Sequence, residues 1–431
     1  MMAIKAKWYV RGLLGGLLLT LLATVTFNWV IDPFQVFGYD GWVGVNQAKS
    51  DKNKRFSKAY ILGRGDFNAV ILGTSRALRL NPQHPGFKDY RTYNAALDGG
   101  TIYESLRYLQ HAQGVHPLRM AVVGLDYFSF SSPTRYQSGF DERRLMLDAD
   151  GNYVPLQKRL EDYGNALLSL DALQNSWRTF RRSRAFSESD KIRGLDALGF
   201  GEANQGTLMK LGGHRQAALI IEKYCISKHG LWLGVGYDLY LNKDYGFLAR
   251  SMKDFDAMLR FAHKHRIDLK LYISPIHTRT QVAMRYVGVE PAWELWKRML
   301  IATNEAVALE LGERPFDLWD FASVNAFTTE PIPRDPAGVM QWYEETSHFR
   351  AALGDQILNV LLNQPQADEL LNQEFGAMLR SGNVDAYLVE QQVARDRWAA
   401  SHVDDVRDVV DQARHERTLL PGIALPAGLA P

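Results

Sequence analysis

Ser75 closes the apolar run Val70-Ile71-Leu72-Gly73-Thr74-Ser75-Arg76, which reads as a buried strand ending abruptly at a small hydroxyl residue. Far along the chain, His348 follows Glu345 by three positions in Glu345-Thr346-Ser347-His348. These residue types suit nucleophilic chemistry. A serine alcohol is a poor nucleophile until an imidazole takes its proton, and the imidazole needs a carboxylate to hold its tautomer. Ser75, His348 and Glu345 are therefore candidates for nucleophile, base and orienting acid, provided the fold joins segments more than 270 positions apart. Each also has a purely structural reading: Ser75 suits a strand-end turn, and His348 a helix start capped by Ser347.

Such a site needs a scaffold, and the apolar patterning supplies one. Strands are expected over Ala69–Leu72, Tyr90–Leu97, Met120–Leu125, Leu269–Ile273 and Phe316–Phe321. Amphipathic stretches at Tyr103–Gln113, Phe247–His265 and Pro291–Leu311 alternate with them. That alternation predicts an α/β fold in three layers, with a parallel five-stranded sheet covered by helices on both faces. In an open α/β sheet, ligands bind outside the carboxyl ends of the strands. Four segments fall there: Gly73–Arg76, Asn94–Thr101, Gly124–Tyr127 and Glu345–His348, the last preceding an amphipathic stretch over Phe349–Leu362.

In this order the four segments resemble the motif blocks of the SGNH (GDSL-like) hydrolase superfamily, whose fold is flavodoxin-like. The resemblance covers residues 66–362 less a central insertion. It implies that Ser75 is the nucleophile, in Gly-Thr-Ser where the family usually has Gly-Asp-Ser. It also makes Gly99 a backbone donor to an oxyanion hole together with the N–H of Ser75. Glu345 and His348 match a block that is normally Asp-x-x-His. Asp126 falls where the family carries an asparagine whose amide donates to the oxyanion, and an ionised carboxylate there would repel that charge. Asp126 is then either protonated by burial, or turned away onto Arg76, or replaced by backbone donors, or a sign of lost catalysis. Arg76, Asn94 and His277 lie at the same edge as expected substrate contacts. Arg76 alternatively pairs with Asp126, Asn94 ties down a turn, and His277, in Ser274-Pro275-Ile276-His277, is a satisfied loop histidine or a rival base. Trp342 and Tyr343 either stack on a sugar or pack in the core.

The rest of the chain sets the context. Gly12–Ile31 is an uncharged stretch of 20 residues, preceded by Lys5, Lys7 and Arg11, with Trp8 and Trp29 near its two ends. It reads as a transmembrane anchor rather than a cleaved signal, because no small-x-small site follows it. The basic flank places residues 1–11 in the cytoplasm and the main domain in the periplasm or cell exterior, held by a single pass in the inner membrane. Lys49, Lys52, Lys54, Arg55 and Lys58 run against that orientation but start at the outer limit of the window that sets topology. The expected divisions are an anchor at 12–31, a membrane-proximal connector at 32–65, and the α/β domain at 66–362 with a helical insertion at about 141–244. A helical C-terminal region follows at 363–431, with helices over Ala367–Arg380, Val384–Ala400 and His402–Arg417 before a loose tail.

A net charge of +2 and no arginine-rich run exclude a nucleic-acid reading. Cys225 is the only cysteine, so no intrachain disulfide forms, and neither cysteines nor histidines cluster as a metal site. No cofactor is implied. An anchored member of this superfamily is similar to bacterial proteins that O-acetylate exopolysaccharides. That likeness implies a serine acyl-ester enzyme, an O-acetyl esterase or O-acyltransferase, acting on a polysaccharide or acylated glycan beside envelope acetylation or export proteins. The alternative is a catalytically degenerate relative that binds glycan or scaffolds an envelope assembly.

Overall fold

Ala69–Leu72 forms β1, with all four residues buried, and the sheet is laid out on either side of it. The computed structural model describes residues 2–38, 41–49, 53–148, 151–154, 157–185, 198–201, 205–227, 246–364, 375–419 and 421–425. Its further strands are β2 (Thr92–Asn94), β3 (Met120–Leu125), β4 (Asp268–Ile273), β5 (Leu318–Asp320) and β6 (Ala377–Met378), in the order β2-β1-β3-β4-β5-β6. β1 to β5 run parallel, and β6 pairs antiparallel with β5. β3 is buried at every position, as a strand covered on both faces requires.

The α/β class agrees with the sequence reading, but the expected five parallel strands become a mixed sheet of six. The extra strand lies inside the helix expected over Ala367–Arg380; residues 367–374 of that stretch are outside the described residues. Gly376 adopts φ +88°, which a helix does not tolerate, and a Cβ on it would stand 2.5 Å from the Phe321 ring. Phe375 packs on Phe321 with ring centroids 4.7 Å apart, so the chain is drawn across the end of β5 instead of coiling.

The order of strands fixes where a site forms. From β1 the chain goes to β2 on one side and then crosses to β3 on the other. The carboxyl ends of β1 and β3 therefore flank a switch point, where connections diverge and leave a crevice. Close packing brings these ends together: a Cβ on Gly73 would lie 2.9 Å from the Gly124 carbonyl oxygen, and one on Gly124 2.7 Å from the Tyr272 hydroxyl.

The chain divides into two compact units. One comprises Met1–Gly65 and Gly139–Ala197. Its first helix, Met2–Ile31, contains in Lys7–Ile31 a stretch long and apolar enough to cross a membrane. Residues 32–65, expected as a connector, share a small aromatic core with the helices that follow Gly139: Phe34, Val36 and Tyr60 pack with Ala166 and Ala172. Lys49 of the basic cluster donates to the carbonyls of Ile31 at 2.9 Å and Asp32 at 3.2 Å, satisfying the helix end with a cation.

The other unit comprises Asp66–Ser138 and Leu198–Pro431 and holds the sheet. The C-terminal helices Val384–Ser401 and Val403–His415 belong to it. Arg279, on the helix Thr278–Tyr286, is buried and binds Glu222 through Nε at 2.8 Å and Nη2 at 3.0 Å. It also meets Asp405 and Asp408 on the last helix. The stretch expected as one insertion is shared, since 139–197 groups with the N-terminal segment and the residues from Leu198 onward group with the sheet.

Candidate active site

The turn after β1 delivers Ser75 because Gly73 takes φ +137°, a conformation that lets the backbone swing against Gly124. The second segment, at the end of β5 and beyond, is a tight loop: Tyr343 bridges Phe349, and the Glu344 N–H donates to the His348 carbonyl at 2.9 Å. Ser75 and His348 meet. Ser75 Oγ lies 2.8 Å from His348 Nε2. On the far side of the ring, His348 Nδ1 is in contact with Glu345 Oε1. Glu345 also accepts from the backbone N–H of Ser347 at 2.6 Å and of His348 at 3.1 Å. A carboxylate at Nδ1 calls for the proton there, which leaves Nε2 as acceptor of the serine hydroxyl. Ser75 is only partly buried, so the alcohol can be reached from outside.

The oxyanion role of Asp126 and the substrate role of Arg76 are corrected, and the alternative reading of both holds: they bind each other. Arg76 Nη1 pairs with Asp126 Oδ1 at 2.5 Å, and each side chain is 2% exposed. The second Asp126 oxygen accepts from Thr74 Oγ1 at 2.5 Å. Arg76 then reaches across to the histidine loop, donating from Nε to the Ser347 carbonyl at 2.7 Å and from Nη2 to the Ser347 hydroxyl at 2.8 Å. Asp126 is thus a counter-ion and not an oxyanion donor, and Arg76 is a strut between the serine turn and the histidine loop. Ser347 serves that strut; it is not a helix cap, since Arg350 holds that position.

The substrate roles of Asn94 and His277 are corrected as well, in favour of the turn tie and the satisfied loop histidine. The Asn94 amide donates to the carbonyls of Ala77 at 2.7 Å and Leu80 at 3.0 Å, and its oxygen accepts from Ala96 N at 3.1 Å. Fully buried, it ties down the turn after Ser75. His277 caps the helix Thr278–Tyr286, with Nδ1 accepting from the Arg279 N–H at 3.2 Å and Nε2 donating to the Glu330 carbonyl at 2.7 Å. Burial, the largest cause, pushes its pKa down to about 4, so the ring is neutral and both nitrogens are occupied. His277 is no rival base. Its backbone N–H instead holds the Thr346 carbonyl at 3.1 Å, steadying the loop that carries His348. Tyr343 is buried against His277, and the half-buried Trp342 packs edge-on to Phe327.

Gly99 sits at φ +57°, partly exposed, on the loop after β2. That loop lies against the serine turn, because the Leu97 N–H donates to the Gly73 carbonyl at 3.0 Å. Among the described residues, the N–H groups of Ser75 and Gly99 donate to no protein acceptor. Two amide donors beside a nucleophile are what a developing oxyanion needs.

Two supports escaped the sequence reading. Arg79 forms a forked pair with Glu344, Nε to Oε1 at 2.9 Å and Nη2 to Oε2 at 2.7 Å. Its Nη1 also reaches the Ser75 carbonyl at 3.3 Å. His214 is fully buried, with Nδ1 donating to the Glu344 carbonyl at 2.8 Å and Nε2 accepting from Met340 N at 3.3 Å. The available signal was charge adjacent to the motifs, with Arg79 three after Arg76 and Glu344 next to Glu345. Nothing marked His214. No group of metal-ligating side chains occurs among the described residues. Compared with known proteins, the chain matches no family model and no curated relative.

Proposed function

We propose that this protein is a serine acyl-ester enzyme of SGNH type, an O-acetyl esterase or O-acyltransferase, anchored in a bacterial inner membrane by residues 12–31 and working on the periplasmic or outer side. The observation that carries this reading is the 2.8 Å contact between Ser75 Oγ and His348 Nε2, made by residues from opposite ends of the domain. The Glu345 contact to Nδ1 and the strand order β2-β1-β3-β4-β5 add to it. Ser75 attacks an acyl carbonyl while its proton passes to His348 Nε2. The tetrahedral oxyanion is held by the N–H groups of Ser75 and Gly99. His348 then returns the proton to the departing alkoxide, leaving an acyl-serine. Water releases the acyl group as acid, and a sugar hydroxyl carries it away as a new ester. The substrate class is an acylated polysaccharide or glycan of the envelope.

The test is covalent labelling of the full chain in detergent with a fluorophosphonate. Label on Ser75 that disappears in Ser75→Ala and in His348→Ala supports the reading. A chain that binds glycan but takes up no label would instead support a degenerate scaffold, a reading favoured by one observation: Asp126 supplies no amide to the oxyanion hole.

A further inference from the structure

The last turn of the apolar helix Met2–Ile31 is joined to its own unit by side chains. The Asn28 amide donates to the Leu167 carbonyl at 2.9 Å, and the Asn46 amide donates to the Val30 carbonyl at 2.8 Å. Phe27 meets Phe180 edge-on with ring centroids 6.2 Å apart. Two segments are thereby held level with residues 27–31. One is the junction between the helices Gln157–Leu168 and Leu170–Arg184. The other is the turn at Trp42, whose N–H is bound by Asn46 Oδ1 at 2.6 Å.

Both segments expose large apolar side chains: Leu168 is 54% exposed, Leu170 77%, Trp177 54%, Trp42 56% and Val43 88%. On the same helix as Trp177, Arg178 and Arg181 also face outward. In water such a patch carries a solvation cost with no return. The position of the patch removes the puzzle. With Lys7 and Arg11 at the cytoplasmic headgroups, the 20 uncharged residues Gly12–Ile31 rise about 30 Å, the thickness of the bilayer hydrocarbon. The last turn then ends at the outer boundary between hydrocarbon and headgroups, and the segments bonded to it lie at that boundary too.

We propose that Trp42, Val43, Leu168, Leu170 and Trp177 form an interfacial collar seated in the outer headgroup region of the bilayer that the first helix crosses, with Arg178 and Arg181 meeting anionic phosphates. This rests on the helix being a span and is independent of the chemistry at Ser75. Exposed tryptophan and leucine beside arginine are the side chains that lie in a membrane surface. The collar fixes the height and tilt of this unit on the bilayer.

The test uses the full chain with Cys225→Ala, reconstituted in phosphatidylcholine vesicles containing phosphatidylglycerol. Single cysteines at Leu18, Leu170 and Trp177 carry a fluorophore, read against nitroxide-labelled lipids and aqueous iodide. The collar requires quenching at 170 and 177 by a headgroup-level nitroxide about twofold stronger than by iodide, with the label at 18 quenched only by a deep nitroxide. Labels at 170 and 177 open to iodide while 18 is deep would overturn the collar alone. Labels shielded from both quenchers would assign the patch to a protein partner and overturn it equally. A label at 18 open to iodide would remove the span and the collar with it.

Discussion

Glu345 serves three donors with two oxygens: the His348 ring and the backbone N–H groups of Ser347 and His348. An amide has one acceptor oxygen, so Glu345→Gln leaves a donor facing an NH2 and frees the imidazole to take the wrong tautomer. Turnover of an activated acetyl ester is expected to fall about 10³- to 10⁴-fold with the fold retained. A loss below about tenfold would remove Glu345 from the relay. The Arg76–Asp126 pair gives a second prediction at this scale. Asp126→Asn strands a buried guanidinium, so stability falls by about 3 kcal/mol in urea unfolding and activity falls with it. A rise in ester turnover would show that Asp126 had displaced a needed amide.

Elements place these residues through close backbone contact and buried polar ties. Gly73→Ala puts a Cβ at φ +137°, 2.9 Å from the Gly124 carbonyl oxygen and 3.0 Å from Ala77 Cβ. The serine turn must shift, and a loss of about 2 kcal/mol is expected in urea unfolding, together with weaker fluorophosphonate labelling. The helix capped by His277 adds a pH dependence. Burial lowers the pKa of its ring to about 4 in the folded chain, against about 6.5 for a free imidazole. Between those values the unfolded chain binds the extra proton, so stability is complete above about 6.5 and declines as pH falls toward 4. His214, also pushed down mainly by burial, adds in the same direction. Urea unfolding should show His277 alone contributing a loss of about 2 kcal/mol between pH 7 and pH 5, a slope that His277→Gln reduces.

At the scale of the molecule, the C-terminal helices are part of the domain that carries the site. Trp398 packs edge-on to the His277 ring, and Asp405 and Asp408 neutralise buried Arg279. Buried Arg395 binds Glu290 at 2.8 Å and Glu294 at 2.9 Å on the helix Glu290–Leu311. A chain ended at Gln364 loses all of these and uncovers the edge of β5, a template for association. It should be recovered aggregated, or digested by protease where the full chain resists. A soluble, protease-resistant product would show the region to be dispensable.

Local pattern alone carried much of this. The continuous apolar run of β3 and the uncharged stretch Gly12–Ile31 of the first helix can each be read from neighbouring residues, the one long enough for a strand covered on both faces and the other long enough to cross a membrane. Ser75, Glu345 and His348 were legible because their types and their places after strands suffice to nominate them. The pairing of Arg76 with Asp126 was legible only as one of two readings, and the tie of Arg76 to Ser347 and the acceptors of Asn94 and His277 were not legible. A buried cation or imidazole is assigned to substrate or to scaffold by which acceptors surround it, and those acceptors come from distant segments: Ser347 lies 271 positions from Arg76. The sixth strand escaped for the same reason, since contact of Gly376 and Phe375 with Phe321 overrode a helical pattern. Sequence by itself determined which side chains were available and where strands would end; only tertiary structure decided which of them face each other, because hydrogen bonds and ion pairs depend on distances that chain order does not encode.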